Sequence, residues 1–299
     1  MFYYDAHNHL CDPRLESFQG DLLEALSRFP LRAAVVNSSG EEEWGAISKL
    51  ADTFSWVIPA FGIHPWNAGQ SLSGWRERLI RLLDSHPKAT MGEIGLDRWI
   101  QNHDIALQRD TFEWQLSLAA QRSLPVSIHC LKAWGLLLEV LQSNALPQCG
   151  FLLHSYSGPE EMISQFTKLG AYFSFSPYFL HERKVAQRDV FTKITMDRLL
   201  VETDAPDMWP PEERNAHPLC ERGTGKPLNH PLNIEVAYAG LAEARGLSVE
   251  ALGKSVEANF WRLFGNTGNT GSDGEGSDEK QGCGPAKECG TEDQRHGFT

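Results

Sequence analysis

The residues best suited to chemistry lie close to the N-terminus, in Asp5-Ala6-His7-Asn8-His9-Leu10. A short apolar run, Phe2-Tyr3-Tyr4, leads into them. In a strand, residues two apart face the same side. His7 and His9 then aim two imidazoles at one point where a strand gives way to a loop, which suits a divalent metal. Taken alone, the pair reads equally well as two unrelated surface histidines. The deciding question is whether other strands end in ligands.

They do. Apolar runs lead into Gly62-Ile63-His64-Pro65-Trp66, Gly92-Glu93-Ile94-Gly95-Leu96-Asp97 and Ser127-Ile128-His129-Cys130. Two more lead into Leu153-His154-Ser155-Tyr156-Ser157-Gly158 and Val201-Glu202-Thr203-Asp204-Ala205-Pro206. Eleven histidines scattered at random over 299 residues would rarely fall this way. Histidine and carboxylate without cysteine suit zinc, manganese or magnesium rather than a structural thiolate site. His7, His9, Glu93, His129, His154 and Asp204 are too many for one tetrahedral ion and suit two that share a carboxylate. Such a pair clamps the attacking and leaving oxygens of a phosphoryl displacement.

The elements that position these residues alternate. Candidate strands cover 2–5, 33–37, 56–62, 89–92, 126–129, 150–153, 172–175 and 199–202. Most lack polar alternation, as strands buried on both faces do. Helical patterns cover 21–29, 105–122, 133–143, 159–169 and 234–245. In 105–122 the expected stripe is Leu107, Thr111, Trp114, Leu118 and Gln121. Eight βα alternations give an α/β fold, and eight closes a TIM-type (β/α)8 barrel, here somewhat distorted, with the active site at the C-terminal ends of the strands. A doubly wound open sheet is the competitor. Ligands drawn from many strands favour the barrel, because an open sheet gathers them only near its switch point. Residues 1–264 read as one barrel. Residues 265–299 are dense in Gly, Ser and acids and read as a disordered tail that holds Cys283 and Cys289.

Composition narrows the class. Six scattered cysteines with no Cys-x-x-Cys point to a reducing, cytoplasmic setting. No run is long enough to span a membrane, and no signal peptide is visible. Net charge is −12, and the tail carries seven acids against three bases. An acidic body argues against non-specific duplex binding, so metal ions or a local basic patch must attract a polyphosphate substrate.

The six motifs, in this order across residues 1–264, resemble those of the TatD-type metal-dependent deoxyribonucleases, a branch of the amidohydrolase-like barrels. The resemblance implies a divalent-metal phosphodiesterase that removes nucleotides from DNA, single-stranded or at its 3′ or 5′ ends. It implies that His7, His9, Glu93 and Asp204 hold one ion (zinc, manganese or magnesium). Glu93, His129 and His154 then hold a second, with Glu93 bridging. Glu93 and Asp204 are the catalytic pair, Asp204 accepting a proton from water. Asp5 and Glu202 are expected behind the ligands. Asp97 either points at the mouth or caps the next helix. His64, Trp66, Arg98, Lys132 and Trp134 are substrate-binding candidates; Trp66, Trp99, Trp134 and Trp209 follow strand ends closely enough to rim one mouth and stack bases.

The chain departs from the family at Cys130-Leu131-Lys132-Ala133-Trp134, where Arg and Asp are usual. It departs again in the loop 209–228, which is expected to cover or narrow the mouth and supplies Arg222 and Lys226 as further basic candidates. These changes leave open a second reading, a hydrolase of a small phosphodiester, ester, lactone or amide on the same centre.

Overall fold

The computed structural model describes residues 1–102 and 104–265. The expected tail, with Cys283 and Cys289, lies outside the described residues. Eight strands form one sheet in chain order, each parallel to the next. They are β1 (Tyr3–Asn8), β2 (Leu31–Asn37), β3 (Val57–Phe61), β4 (Thr90–Asp97), β5 (Val126–Leu131), β6 (Phe151–Leu153), β7 (Ala171–Phe175) and β8 (Leu199–Val201). All eight expected strands are present, and the sheet curls into a nearly closed barrel with helices between its strands. Strands β3 to β8 are almost wholly buried, as parallel strands covered on both faces must be.

The seam between β1 and β8 closes just beyond the ladder. Asp204 N–H donates to His7 C=O at 2.9 Å, and His9 N–H donates to Ala205 C=O at 2.7 Å. Below them Asp5, buried, accepts from Thr203 N–H at 3.0 Å and Thr203 Oγ1 at 2.6 Å. It also accepts from His7 N–H at 3.2 Å and Asn8 Nδ2 at 3.1 Å. Asp5 therefore ties first strand to last through backbone and hydroxyl groups and touches neither imidazole, contrary to the expected role of orienting a ring. Burial raises its pKa to about 7 despite these four donors.

Nine α-helices occur among the described residues: α1 (Gln19–Arg28), α2 (Glu41–Thr53), α3 (Trp75–Ser85), α4 (Ile105–Arg122), α5 (Trp134–Ser143), α6 (Ile163–Lys168), α7 (Val185–Val190), α8 (Ile234–Arg245) and α9 (Val249–Phe264). The buried face of α4 matches the expected stripe only in part: Thr111 and Leu118 are buried and Trp114 packs on the core, but Leu107 and Gln121 are exposed. Gln108, Phe112, Gln115 and Leu116 point inward, while Leu107 is 38% exposed. The reason is polar. Gln115 brackets Ile63, accepting from its N–H at 2.8 Å and donating to its C=O at 3.2 Å. Gln108 does the same for Asp97, at 2.8 and 3.0 Å. Two buried amides thus replace the neighbouring strand that these chain ends have left.

The loop 209–228 carries a small antiparallel hairpin, β9 (Pro218–Cys220) and β10 (Pro227–Asn229). Leu228 and Leu219 pack with Leu15, Leu22 and Phe18, and Arg222 lies over the Phe18 ring at 4.9 Å. The insert is thus anchored against α1 and the turn before it; none of residues 209–228 lines the cavity described below, which only the preceding Met208 reaches.

Replacing Asp5 by Ala leaves four buried donors without their acceptor. We expect a loss of about 3 kcal/mol in unfolding free energy. Urea denaturation measures it, and a change below about 1 kcal/mol would show that the seam does not depend on this carboxylate.

Candidate metal centre

Glu93 sits at the centre of the strand ends, 2% exposed. Its two oxygens face different partners. Oε2 lies 3.1 Å from His9 Nε2 and 3.4 Å from His7 Nε2. Oε1 lies 2.9 Å from both His129 Nδ1 and His154 Nε2, and 3.5 Å from His64 Nε2. Asp204 Oδ1 completes the first group, 3.6 Å from His7 Nε2 and 3.7 Å from His9 Nε2. Within each group the imidazoles meet nitrogen to nitrogen. His7 Nε2 and His9 Nε2 are 3.1 Å apart, and His129 Nδ1 and His154 Nε2 are 3.2 Å apart.

These spacings fit cations. Two ligand atoms on a tetrahedral zinc ion lie about 3.3 Å apart, given zinc–ligand bonds of about 2.0–2.1 Å. Glu93 Oε1 is buried and takes part in no hydrogen bond, although two ring nitrogens lie at 2.9 Å. His7, His9 and Asp204 offer ligand atoms within 4.8 Å of one another, as do His64, Glu93 and His129, and also His7, His154 and Glu202. Sequence reasoning placed His64 on the substrate side; the structure brings it to Glu93.

Other carboxylates stand behind the rings. Asp97 Oδ2 faces His129 Nε2 at 3.1 Å, so His129 turns Nδ1 toward Glu93. Asp97 Oδ1 accepts from the backbone N–H groups of Trp99 at 2.5 Å and Ile100 at 3.2 Å. The aspartate thus neither points at the mouth nor caps α4; Asp104 caps that helix. Glu202 lies 3.7 Å from His154 Nδ1 and accepts from Ser155 N–H, Ser155 Oγ and Ser174 Oγ. Oriented imidazoles of this kind are typical behind metal ligands. The alternation of strand residues signals such partners only weakly, because their contacts cross between strands.

Burial and mutual charge shift these groups in both directions. Burial lowers His7 and His64 to about 4. It would lower His9 as well, but the hydrogen bond and charge of Glu93 and the charge of Asp204 hold that ring at about 9. Burial raises Asp204 to about 8, aided by nearby Glu202 and Glu93 and opposed by His154. Burial alone would raise Glu93 too, yet His154, His64 and His7 keep it well below the usual carboxylate range.

Local backbone features make this geometry possible. One extra residue in β4, between Met91 and Ile94, opposes β5 as a bulge that re-aims Glu93. Gly95 has φ +151, and a Cβ there would stand 2.0 Å from His129 C=O. At Gly92 a Cβ would stand 2.6 Å from Asn37 Oδ1. Lys132, Ser155 and Asp204, just beyond β5, β6 and β8, hold positive φ values of 53°, 41° and 54°. Non-glycine residues in that region concentrate at functional sites.

A cavity of about 440 Å³ opens beside His129, His154 and Asp204. Trp99, Tyr178, Phe179 and Met208 give it an apolar wall, and Lys132 and Lys184 bring two ammonium groups. Lys184 and Tyr178 were not foreseen, because the segment after β7 carries no ligand to mark it. The other candidates fall elsewhere. Trp134 packs on Tyr156 at 4.8 Å and Phe166 at 6.1 Å, on the helix side of β6. Arg98 is exposed and does not line the cavity, and neither does Trp66, whose indole N–H donates to Asp97 Oδ2 at 2.6 Å. Of the four tryptophans expected at one mouth, only Trp99 lines this cavity.

The chain is similar to known proteins along most of its length. A family model described as TatD related DNase matches residues 4–265. The metal-dependent hydrolase YcfH of Escherichia coli is 27% identical over 270 residues, covering 88% of this chain and 96% of that protein. The 3′-5′ ssDNA/RNA exonuclease TatD of Erwinia billingiae is 32% identical over 204 residues, covering 68% of this chain and 76% of that protein. The crystal structure of YjjV, a TatD homologue from Escherichia coli, superposes with a TM-score of 0.77 at 27% identity. It covers 88% of this chain and 98% of that one.

Gly95→Ala should be far more damaging than an ordinary strand substitution. The added Cβ collides with rigid backbone at His129, so we expect a loss of about 3 kcal/mol or more together with weakened zinc uptake. Calorimetric unfolding and metal content measure these effects. A variant with native stability and native metal content would show that β4 and β5 need not approach so closely.

Proposed function

Because this chain belongs to the TatD-related DNase family and is a metal-dependent hydrolase, we propose that it cleaves phosphodiester bonds at the ends of single-stranded nucleic acid, DNA foremost, with two divalent cations held across Glu93. The observation that carries this reading is the division of Glu93 between two histidine groups, Oε2 with His7 and His9, Oε1 with His129 and His154. His7, His9, Glu93 and Asp204 would hold one ion, and Glu93, His129 and His154 the other. Four imidazoles favour zinc or manganese over magnesium, which prefers oxygen.

Cations at these positions would lower the pKa of a bound water and offset charge on the phosphodiester. Asp204 would take that water's proton as general base. As the new P–O bond would form, the bond to the leaving oxygen would break, and that oxygen would take up the proton that Asp204 had accepted, so the carboxylate is restored. Lys132 and Lys184 would bind phosphate oxygens in the cavity, adding to the attraction of the cations. The apolar wall has room for one nucleoside unit, since sites for small ligands span about 300–1,000 Å³. Two lysines in the wall favour a phosphate-bearing substrate over a lactone or amide.

The test is hydrolysis of a single-stranded oligonucleotide, a duplex, bis-p-nitrophenyl phosphate and a lactone panel after chelation and metal return. We expect chelation to abolish oligonucleotide cleavage and zinc or manganese to restore it. Glu93→Ala and Asp204→Asn should each lower kcat by about 10²–10⁴-fold with the fold retained. Full activity in the chelated protein, or in both variants, would sink the reading. A second outcome is set by the lysines. Lys132→Gln and Lys184→Gln should raise KM for the oligonucleotide, more so together, and flatten its salt dependence, while leaving bis-p-nitrophenyl phosphate little changed.

A further inference from the structure

One wall of the centre contains a linked chain of three side chains. His129 offers Nδ1 to Glu93 Oε1 at 2.9 Å and turns Nε2 toward Asp97 Oδ2 at 3.1 Å. The same oxygen accepts the indole N–H of Trp66 at 2.6 Å. Asp97 is fully buried, and its other oxygen is held by two backbone amides. A carboxylate oxygen that accepts two donors is fixed by both, so the indole helps set where the partner of His129 stands.

Trp66 also faces outward. It is 47% exposed, although its N–H is bound. Its ring meets His64 edge-on at 4.9 Å and lies 6.3 Å from His129. Its own backbone N–H donates to His64 Nδ1 at 3.1 Å, which fixes the start of the segment. The side chain therefore joins solvent-accessible aromatic surface to the orientation of a ring at the centre. Packing alone would not require the indole N–H to reach the carboxylate that holds His129.

We propose that Trp66 is a positioning residue that couples substrate to the metal centre. A base stacked on its exposed ring and a cation beside His129 favour the same alignment of indole, Asp97 and His129. Each therefore strengthens the other, because coupling between two binding events is reciprocal. The base-stacking half rests on the nucleic-acid reading above; the link to His129 rests on the hydrogen-bond geometry alone.

Trp66→Phe keeps an aromatic ring and removes the N–H. Zinc affinity is read on the stripped protein by competition with a chromogenic chelator, and KM is read with a single-stranded oligonucleotide. We expect zinc affinity to fall about tenfold, the lower end of what lost partners of metal ligands cost. We expect KM to rise severalfold as well, with unfolding temperature nearly unchanged. A change in KM alone would make Trp66 a stacking platform only and overturn the coupling. So would a change in zinc affinity alone, or none in either. If the variant does not fold, the native protein decides. The Trp66 indole ¹H–¹⁵N resonance should move on zinc addition, and a resonance that stays put overturns the link. A native enzyme inactive on oligonucleotides marks failure of the function proposed above, and the zinc titration then judges the His129 link by itself.

Discussion

The structure depends on keeping one carboxylate buried at the centre of the strand ends. Glu93 is 2% exposed and ringed by His7, His9, His64, His129 and His154. A buried charge is tolerated only where partners match it closely. Those partners come from β1, β5, the end of β6 and the segment after β3, so the barrel must bring distant chain segments to within about 4 Å of one side chain. The bulge in β4 and the close approach at Gly95 follow from that demand, as does the layer of Asp97 and Glu202 that holds the imidazoles.

The seam extends the same demand. His7 on β1 and Asp204 just beyond β8 are about two thirds of the chain apart, yet their backbones are hydrogen-bonded to each other. The contact that closes the barrel therefore also brings His7, His9 and Asp204 together. Asp5 fastens it from within through Thr203, just before Asp204.

Much of this was legible in the sequence. All eight strands were, because each buried parallel strand is a short apolar run. So was the gathering of His7, His9, His129, His154 and Asp204 about Glu93, because His and carboxylate at successive strand ends have few other reasons to recur; His64 was expected on the substrate side instead. The limits were equally physical. β4 runs on to Asp97, beyond its expected end, because Gly-Glu-Ile-Gly reads as a turn until bulge and neighbours are known. The inward face of α4 was legible only in part, at Thr111 and Leu118, because Gln108 and Gln115 look like solvent residues; their burial makes sense only against the backbone of Ile63 and Asp97. Helix α2 opens with Glu41, Glu42 and Glu43 and was not foreseen, although Glu43 is buried and accepts from Ser39 N–H. Helix α9 was also missed, even though Leu252, Val256, Phe260 and Leu263 mark its inner face at helical spacing.

Those two glutamines have a wider meaning. They are seven residues apart on one helix, two turns or about 10.5 Å along its axis. One clamps the chain just before His64, the other the residue that orients His129. Helix α4 thus acts as a ruler laid across the outside of the barrel, fixing the spacing of two inner walls it never enters. In a modular fold whose helices are often treated as exchangeable cladding, this one carries part of the site's dimensions. A transplanted α4 with the right apolar face but without the two amides would restore the shell and still leave the interior out of register.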